Sequence, residues 1–414
     1  MNIFYFHQYF TTRSGSFGTR SYELAKELVS RGHCVTIVCI ANDRSNSGLK
    51  GAFRNNLREG IVEGIKVIEF NFFYSNKLNI FERTKIFIKY VFKTLSLIYK
   101  QDIDLIYASS TPLTIGISAI FGKIFKGIPY IFEVRDLWPE LLKEMGVIRN
   151  PIIIWILSLL EITSYAFSNN CVGLSKGICD GINKKNFMNR KIYLSPNACD
   201  LDLFKSQEIN RKDPSYLNKY GLNFTKNDFV VAFTGAHGVA NGLDFLLDVG
   251  QSLLNMKRSD IKILFIGDGS CKEKLISRKN LQNINNCFFI DPISKLELSE
   301  VFNNSIKVGL MILEDIPAFY NGTSPNKFFD YIASSLPVLC NYPGWISNLI
   351  TKNQIGFSIK PNFCDDFASK LVLLADNPNL LSSMSIKARK LGERNFSRKQ
   401  INNQLIKIIE NFDS

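Results

Sequence analysis

The chain is poor in the residues that build metal and disulfide proteins. It has three histidines, and its nine cysteines (Cys34, Cys39, Cys171, Cys179, Cys199, Cys271, Cys287, Cys340 and Cys364) are odd in number and form no CxxC pair. A zinc site and a disulfide framework are therefore not expected, and the cysteines read as small apolar side chains of a reduced compartment. No apolar run approaches the ~18 residues of a membrane-crossing helix. The opening MNIFYFHQYF has neither a basic n-region nor a small-residue cleavage site, so it reads as a first strand and not as a signal peptide. Acidic residues are fewer than basic ones, 37 against 50, which leaves a net charge of +13. That balance suits anionic partners such as lipid or phosphorylated substrates, and equally a soluble basic enzyme. No nucleic-acid-binding module is recognisable, so nucleic acid is not an expected partner.

What is present is two rounds of strand and helix in 414 residues, long enough for two cores at 46% hydrophobic content. In the first half, strands are expected at 2–6, 34–40, 65–70, 105–108, 130–134, 170–174 and 191–194, with an amphipathic helix over 19–31. The segment 201–228 is polar and holds the expected boundary. The pattern then restarts, with strands at 229–234, 261–266, 287–290, 308–313 and 338–340, a helix at 243–256 and a helical tail over 382–412. The expectation is α/β: two doubly wound domains over 1–205 and 206–385, with a tail at 386–414 packing back toward the first.

The densest chemistry lies in 324–340, SPNKFFDYIASSLPVLC. Ser324 is expected to cap a helix, Pro325 to fit its first turn and Pro337 to stop it. Lys327, Asp330 and Tyr331 then share a face at i, i+3 and i+4, next to Asn326. A cation one turn into a helix, followed by a carboxylate, suits a nucleotide with charged phosphates and a ribose diol.

Each half also carries a glycine loop after its first strand. Gly15, Ser16 and Gly18 in the first, and Gly235, His237 and Gly238 in the second, are placed to offer backbone N–H groups to phosphate or sugar oxygens in a cleft between the domains. A tight turn is the alternative for any single glycine. His237, flanked by glycine and alanine, is expected to be exposed. In EVRDLWPE, Glu133 and Asp136 stand at the C-terminal edge of a strand, where either can orient or deprotonate an acceptor hydroxyl; an internal Arg135–Asp136 pair is the alternative. Asp200-Leu201-Asp202 and Asp102-Ile103-Asp104 have the look of metal pairs, but no metal is predicted.

Over 81–100, FERTKIFIKYVFKTLSLIYK, Lys85, Lys89, Lys93 and Lys100 fall within roughly an 80° arc and apolar residues fill most of the rest. Such a helix is either buried on two sides with a lysine edge or lies on an anionic bilayer. The segment 150–167 is similarly apolar but is broken by Glu161 and too short to span.

Together these pieces resemble glycosyltransferase family 4, retaining enzymes of GT-B fold. The resemblance covers nearly the whole chain: the 15–18 loop, Arg31-Gly32-His33, SPNACD over 195–200 with Phe204, the 235–238 loop, Gly267-Asp268-Gly269 and 324–338. Within the family the chain is similar to the branch that builds bacterial O-antigen, capsule or colanic-acid units, including the proposed fucosamine transferases. The resemblance implies transfer of a deoxy- or amino-sugar from a nucleotide-sugar, UDP-linked in the first instance, to a polyprenyl-diphosphate-linked saccharide, at the cytoplasmic face of a membrane and without a metal. It puts Asp330 where the family's second glutamate receives the ribose hydroxyls and leaves Lys327 to neutralise the leaving diphosphate. The chain departs from the pattern at Gly322, where the first glutamate is missing, and in GAHGVANGLDF, which lacks the usual Arg and Lys. Those departures keep two other readings open: a sugar-nucleotide 2-epimerase of similar fold, and a non-catalytic donor-binding subunit of a polysaccharide assembly complex.

Overall fold

Both halves alternate buried apolar runs with amphipathic helices, and in the computed structural model, which describes residues 1–43, 45–75, 78–205 and 208–412, each half builds its own sheet. Two compact units result: Met1–Asn197, Asn321–Ser324 and Lys399–Ser414 in one, Ala198–Tyr320 and Pro325–Arg398 in the other. The expected start of the second domain at residue 206 lies outside the described residues.

The first unit holds an eight-stranded sheet of β1 (Asn2–Phe6), β2 (Cys34–Asn42), β3 (Leu57–Val62), β4 (Ile65–Tyr74), β5 (Leu105–Ser109), β6 (Tyr130–Val134), β7 (Asn170–Gly173) and β8 (Lys191–Leu194), in the order 3-4-2-1-5-6-7-8. All pairings are parallel except β3 with β4. Its helices are α1 (Arg20–Ser30), α2 (Ile80–Lys100), α3 (Ile115–Lys126), α4 (Glu140–Glu144), α5 (Pro151–Phe167) and α6 (Lys176–Lys184). α2 starts on a capping box in which Asn79 and Glu82 satisfy each other's backbone N–H groups. α5 starts with Pro151 behind an Asn150 cap.

The second unit holds six parallel strands, β9 (Phe229–Thr234), β10 (Ile261–Ile266), β11 (Cys287–Ile290), β12 (Val308–Met311), β13 (Val338–Cys340) and β14 (Gly356–Ser358), in the order 11-10-9-12-13-14. Its helices are α7 (Asp244–Asn255), α8 (Lys272–Leu281), α9 (Lys295–Asn304), α10 (Pro317–Asn321), α11 (Asn326–Ala333), α12 (Trp345–Lys352), α13 (Cys364–Asp376) and α14 (Pro378–Asn395). The expected single tail helix is two. After α14 Ser397 forms an isolated parallel bridge with Cys199, with Cys199 N–H donating to Phe396 O and Arg398 N–H to Cys199 O, and α15 (Arg398–Glu410) follows. Leu405, Ile406 and Ile409 of α15 enter the core of the first unit with Ile3, Tyr5 and Leu24.

Both sheets are doubly wound. β1 lies between β2 and β5, and β9 between β10 and β12, so in each unit the chain reverses direction across the sheet at the first strand. In such sheets ligands bind beyond the C-terminal ends of the strands at that point. Those ends are His7 onward in the first unit and Gly235 onward in the second.

Candidate active site

At the C-terminal end of β9, Lys327 reaches back from the first turn of α11. Its Nζ stands 3.7 Å from the centre of the Phe233 ring and 3.4 Å from Asn241 Oδ1. It lies directly over the glycine loop, since a Cβ on Gly235 would meet Nζ at 3.3 Å. Among the described residues no carboxylate pairs with it, and burial draws its pKa down to about 7. Asn241 itself is held by donating 2.8 Å to Ala236 O, so its oxygen is fixed toward the lysine. Asn326 begins α11 and is partly exposed.

The two glycine-rich segments of this unit pack on one another. Gly267, at φ +151°, has no room for a side chain, because a Cβ would lie 1.9 Å from Gly235 O; at Gly269 it would lie 2.4 Å from His237 O. Gly235 N–H donates to Ile266 O and His237 N–H to Asp268 O. Those two N–H groups serve the fold and not a phosphate, which corrects the expectation for them. Gly238 opens the short turn over Val239–Asn241, accepting from Asn241 N–H. His237 is buried, not exposed: its ring sits about equally far from Phe233, Phe265 and Phe289 and pins the loop to the core.

The rest of the 324–340 motif divides differently from the expectation. Ser324 caps no helix: Pro325 occupies the cap position of α11, and Ser324 accepts from Asn197 N–H at 3.2 Å and from Asn197 Nδ2 through its carbonyl at 2.5 Å. Tyr331 points into the core. Its hydroxyl shares its one proton between the carbonyls of Ala232 and Leu310 and accepts from Thr234 N–H, and its ring fills the space that makes residue 309 a glycine. Asp330 is buried and pairs with Lys295 of α9 at 3.2 Å. Lys295 also pairs with Asp200, which pairs with Arg398. Burial raises the Asp330 pKa against the pull of Lys295, whereas Asp200, equally buried, is held well below the usual carboxylate range by Arg398 and Lys295. Asp200 is thus committed to ion pairs with Lys295 at the start of α9 and Arg398 at the start of α15.

In the first unit, Glu133 is fully buried, and both of its oxygens are engaged. Arg20 and Tyr107 donate to one and Ser109 to the other. Burial opposes its charge, but Arg20 outweighs it and the pKa falls to about 2. Arg20 also donates to Ser195 Oγ and Pro196 O, so this network locks β6 to the segment after β8. A role for Glu133 in deprotonating an acceptor is replaced by this structural one. Arg135 turns to His7, 2.6 Å from Nε2, and not to Asp136. Since a guanidinium only donates, His7 is neutral there and gives its Nδ1 proton to Ser21 Oγ at 2.8 Å. Asp136 is partly exposed at the end of β6, with a pKa raised by burial and only partly restored by Arg135. Among the described residues no hydrogen bond or ion pair occupies its carboxylate. In the first glycine loop, Gly15 N–H donates to Thr12 O, while Ser16 and Gly18 are partly exposed.

Asn241, Arg20 and Ser109 escaped the sequence reading. Only Asn241 had a local signal, four residues past His237 in a glycine loop; Arg20 and Ser109 meet Glu133 across more than a hundred and across 24 residues of chain.

Comparison with known proteins completes the picture. Residues 18–203 match the model described as Glycosyltransferase Family 4, and residues 218–391 match Glycosyl transferases group 1. No curated protein sequence matches the chain. Sucrose-phosphate synthase from Thermosynechococcus elongatus superposes with a TM-score of 0.76 at 12% identity, covering 99% of this chain and 98% of that one. Anabaena Alr3699/HepE in complex with UDP-glucose gives 0.69 at 15% identity, covering 99% of each chain. WaaG, a glycosyltransferase involved in lipopolysaccharide biosynthesis, gives 0.65 at 14% identity, covering 99% of this chain and 100% of that one. The fold is the two-domain GT-B arrangement of doubly wound sheets.

Proposed function

We propose, on the premise that this chain belongs to the GT4-type glycosyltransferases and transfers sugar from a nucleotide-sugar, that its donor is UDP-linked and its acceptor a polyprenyl-diphosphate-linked saccharide of a bacterial surface polysaccharide such as O-antigen or capsule. The donor sugar is a deoxy- or amino-hexose, transferred with retention of configuration and without a metal. The observation that carries the donor half is Lys327: a cation over a glycine loop, at a helix N-terminus, with no carboxylate of the protein beside it among the described residues.

The chemistry asks for that arrangement. As the anomeric carbon gains positive charge, negative charge collects on the departing diphosphate. A fixed ammonium and the N–H groups at the start of α11 stabilise it, and one such donor contributes about 3 kcal/mol to the transition state. Anabaena Alr3699/HepE, of the same fold, is solved in complex with UDP and with UDP-glucose, which supports a UDP-linked donor. Asp136 is the group that orients the acceptor hydroxyl, and Arg135 and His7 shape the edge beside it. Asp330, paired with Lys295, acts through it to fix α11 and hence Lys327, and not by reaching a ribose.

A lipid-linked acceptor places the protein at the cytoplasmic face of the cell membrane, and the exposed Lys85, Lys89 and Lys93 of α2 support an anionic surface as its partner. No helix among the described residues is long and apolar enough to cross a membrane. The test is transfer itself: purified protein, UDP-, GDP- and dTDP-sugars and a synthetic polyprenyl-diphosphate sugar, read by mass spectrometry. A product heavier by one sugar supports the reading. Isomerised donor without acceptor replaces it with the epimerase, and bound but unchanged donor across the panel replaces it with a non-catalytic subunit.

A further inference from the structure

The first unit leaves a broad apolar face uncovered. α3 lies beside both α2 and α5, and its Gly116 meets α5 so closely that a Cβ would come within 2.1 Å of Ser164 Oγ. On α2, Phe81, Ile88, Phe92 and Tyr99 are exposed and fall within roughly a 40° arc of the helix. On α5, Ile152, Trp155, Ile156 and Leu159 are exposed at i, i+3, i+4 and i+7, the spacing of a stripe that normally faces a core. On α3, Ile124 and Phe125 are exposed, with Phe125 packed on Phe121. Phe92 and Phe125 are each 68% exposed and Trp155 66%.

Apart from Glu82, the exposed charges on these three helices are basic. Lys85, Lys89, Lys93 and Lys100 are exposed beside the α2 ridge, and Lys126 of α3 stands over the Tyr99 ring at 5.6 Å, joining the two helices' rims. The three helices contain two carboxylates. Glu82 is used in the Asn79 capping box, and Glu161 is buried against Lys185 and Tyr165. α5 presents no exposed charge at all.

An apolar face of this breadth marks an interaction surface, and its lysine rim selects an anionic one. We infer that α2, α3 and α5 together seat the first unit in an anionic bilayer and that α5 enters deepest. Lysine ammoniums of α2 and α3 stay at the headgroups on their flexible stems, while Trp155 and the isoleucines of α5 replace water with acyl chain. This rests on the reading of a lipid-linked acceptor and deepens it: seating is a property of three helices and not of the lysine stripe alone. The geometry at Gly116 and Ser164 fixes α3 and α5 as one block, so their exposed residues enter or leave the bilayer together.

The test is flotation and sedimentation of the full chain with vesicles of equal parts phosphatidylglycerol and phosphatidylcholine, and with phosphatidylcholine alone. The wild type is expected to bind the mixed vesicles, and Ile152→Glu with Ile156→Glu to weaken that binding about tenfold or more. Brominated acyl chains should quench wild-type tryptophan emission, and Trp155→Phe should bind equally well with that quenching lost. All three positions are exposed, so unchanged thermal melts establish that the variants fold. Undiminished binding of the double variant overturns the inference, as does binding without quenching. A wild-type dimer that the double variant dissociates in the absence of vesicles also overturns it, since a second copy would then cover the face. If the wild type binds and is quenched yet transfers nothing to a polyprenyl acceptor, the acceptor reading falls and the seating stands.

Discussion

A lysine whose ammonium lies over an aromatic ring, with burial drawing its pKa down to about 7, gives up part of its charge as pH rises past neutrality and holds it when a diphosphate is beside it. Donor binding should therefore take up a proton. Above pH 7 the donor affinity should fall about tenfold per pH unit, because each binding event must first protonate Lys327. Lys327→Arg, which never deprotonates, should flatten that profile, and Lys327→Ala should lower kcat about a hundredfold with the fold intact; steady-state kinetics across pH checks both. Glu133 is the contrasting residue. Its charge at a strand edge was legible in the sequence, but its partner Arg20 lies 113 residues away and no local pattern announces it. Glu133→Gln should cost stability and not chemistry, about 3 kcal/mol, because it leaves Arg20 buried without its counter-charge. The folded pKa of Glu133 is about 2, below its ordinary value, so the stability it contributes is present above about pH 4.5 and is lost as pH falls toward 2; an acid titration of wild type against Glu133→Gln measures the difference. His237 teaches the same lesson: glycine and alanine surround it in sequence, three phenylalanines surround it in space.

The elements were legible where burial is continuous. β1, β6, β9 and β10 begin and end as the apolar runs predict, because strands buried on both faces announce themselves by composition. β3 did not. Leu57–Val62 reads LREGIV, half exposed at the sheet edge, and its antiparallel pairing with β4 depends on a turn and not on hydrophobicity. The break between α14 and α15 was also invisible, since the link at Phe396 and Ser397 is stabilised by the backbone of Cys199, far off in sequence. The ion-pair group of Asp200, Lys295, Asp330 and Arg398 joins that link to α9 and α11. Arg398→Ala should therefore lower stability by about 3–5 kcal/mol, read as a lowered Tm, because it strands the buried Asp200 with one partner fewer. At α2, replacing Lys85, Lys89 and Lys93 by Glu should release the protein from anionic vesicles while leaving its melting temperature unchanged; co-sedimentation equal to wild type would sink the electrostatic part of the membrane account.

For the whole molecule, the division into two doubly wound units follows from the restart of the strand pattern at Phe229, and the two sheets' reversal at β1 and β9 says where each can bind. What composition could not supply was how the sites are filled. The net charge of +13 agrees with phosphate, lipid and much else, whereas a lysine over a glycine loop with no carboxylate paired to it among the described residues agrees with little besides an anion. The proposed function turns on transfer from a nucleotide-sugar to a lipid-linked saccharide with Lys327 bearing the leaving charge. The most direct measurement incubates wild type and Lys327→Ala with UDP-sugars and a polyprenyl-diphosphate saccharide in EDTA, and weighs the products. An acceptor heavier by one sugar is expected with wild type, formed about a hundredfold more slowly with the variant. Wild type that binds donor and leaves the acceptor's mass unchanged, or a variant as fast as wild type, would contradict the proposed function.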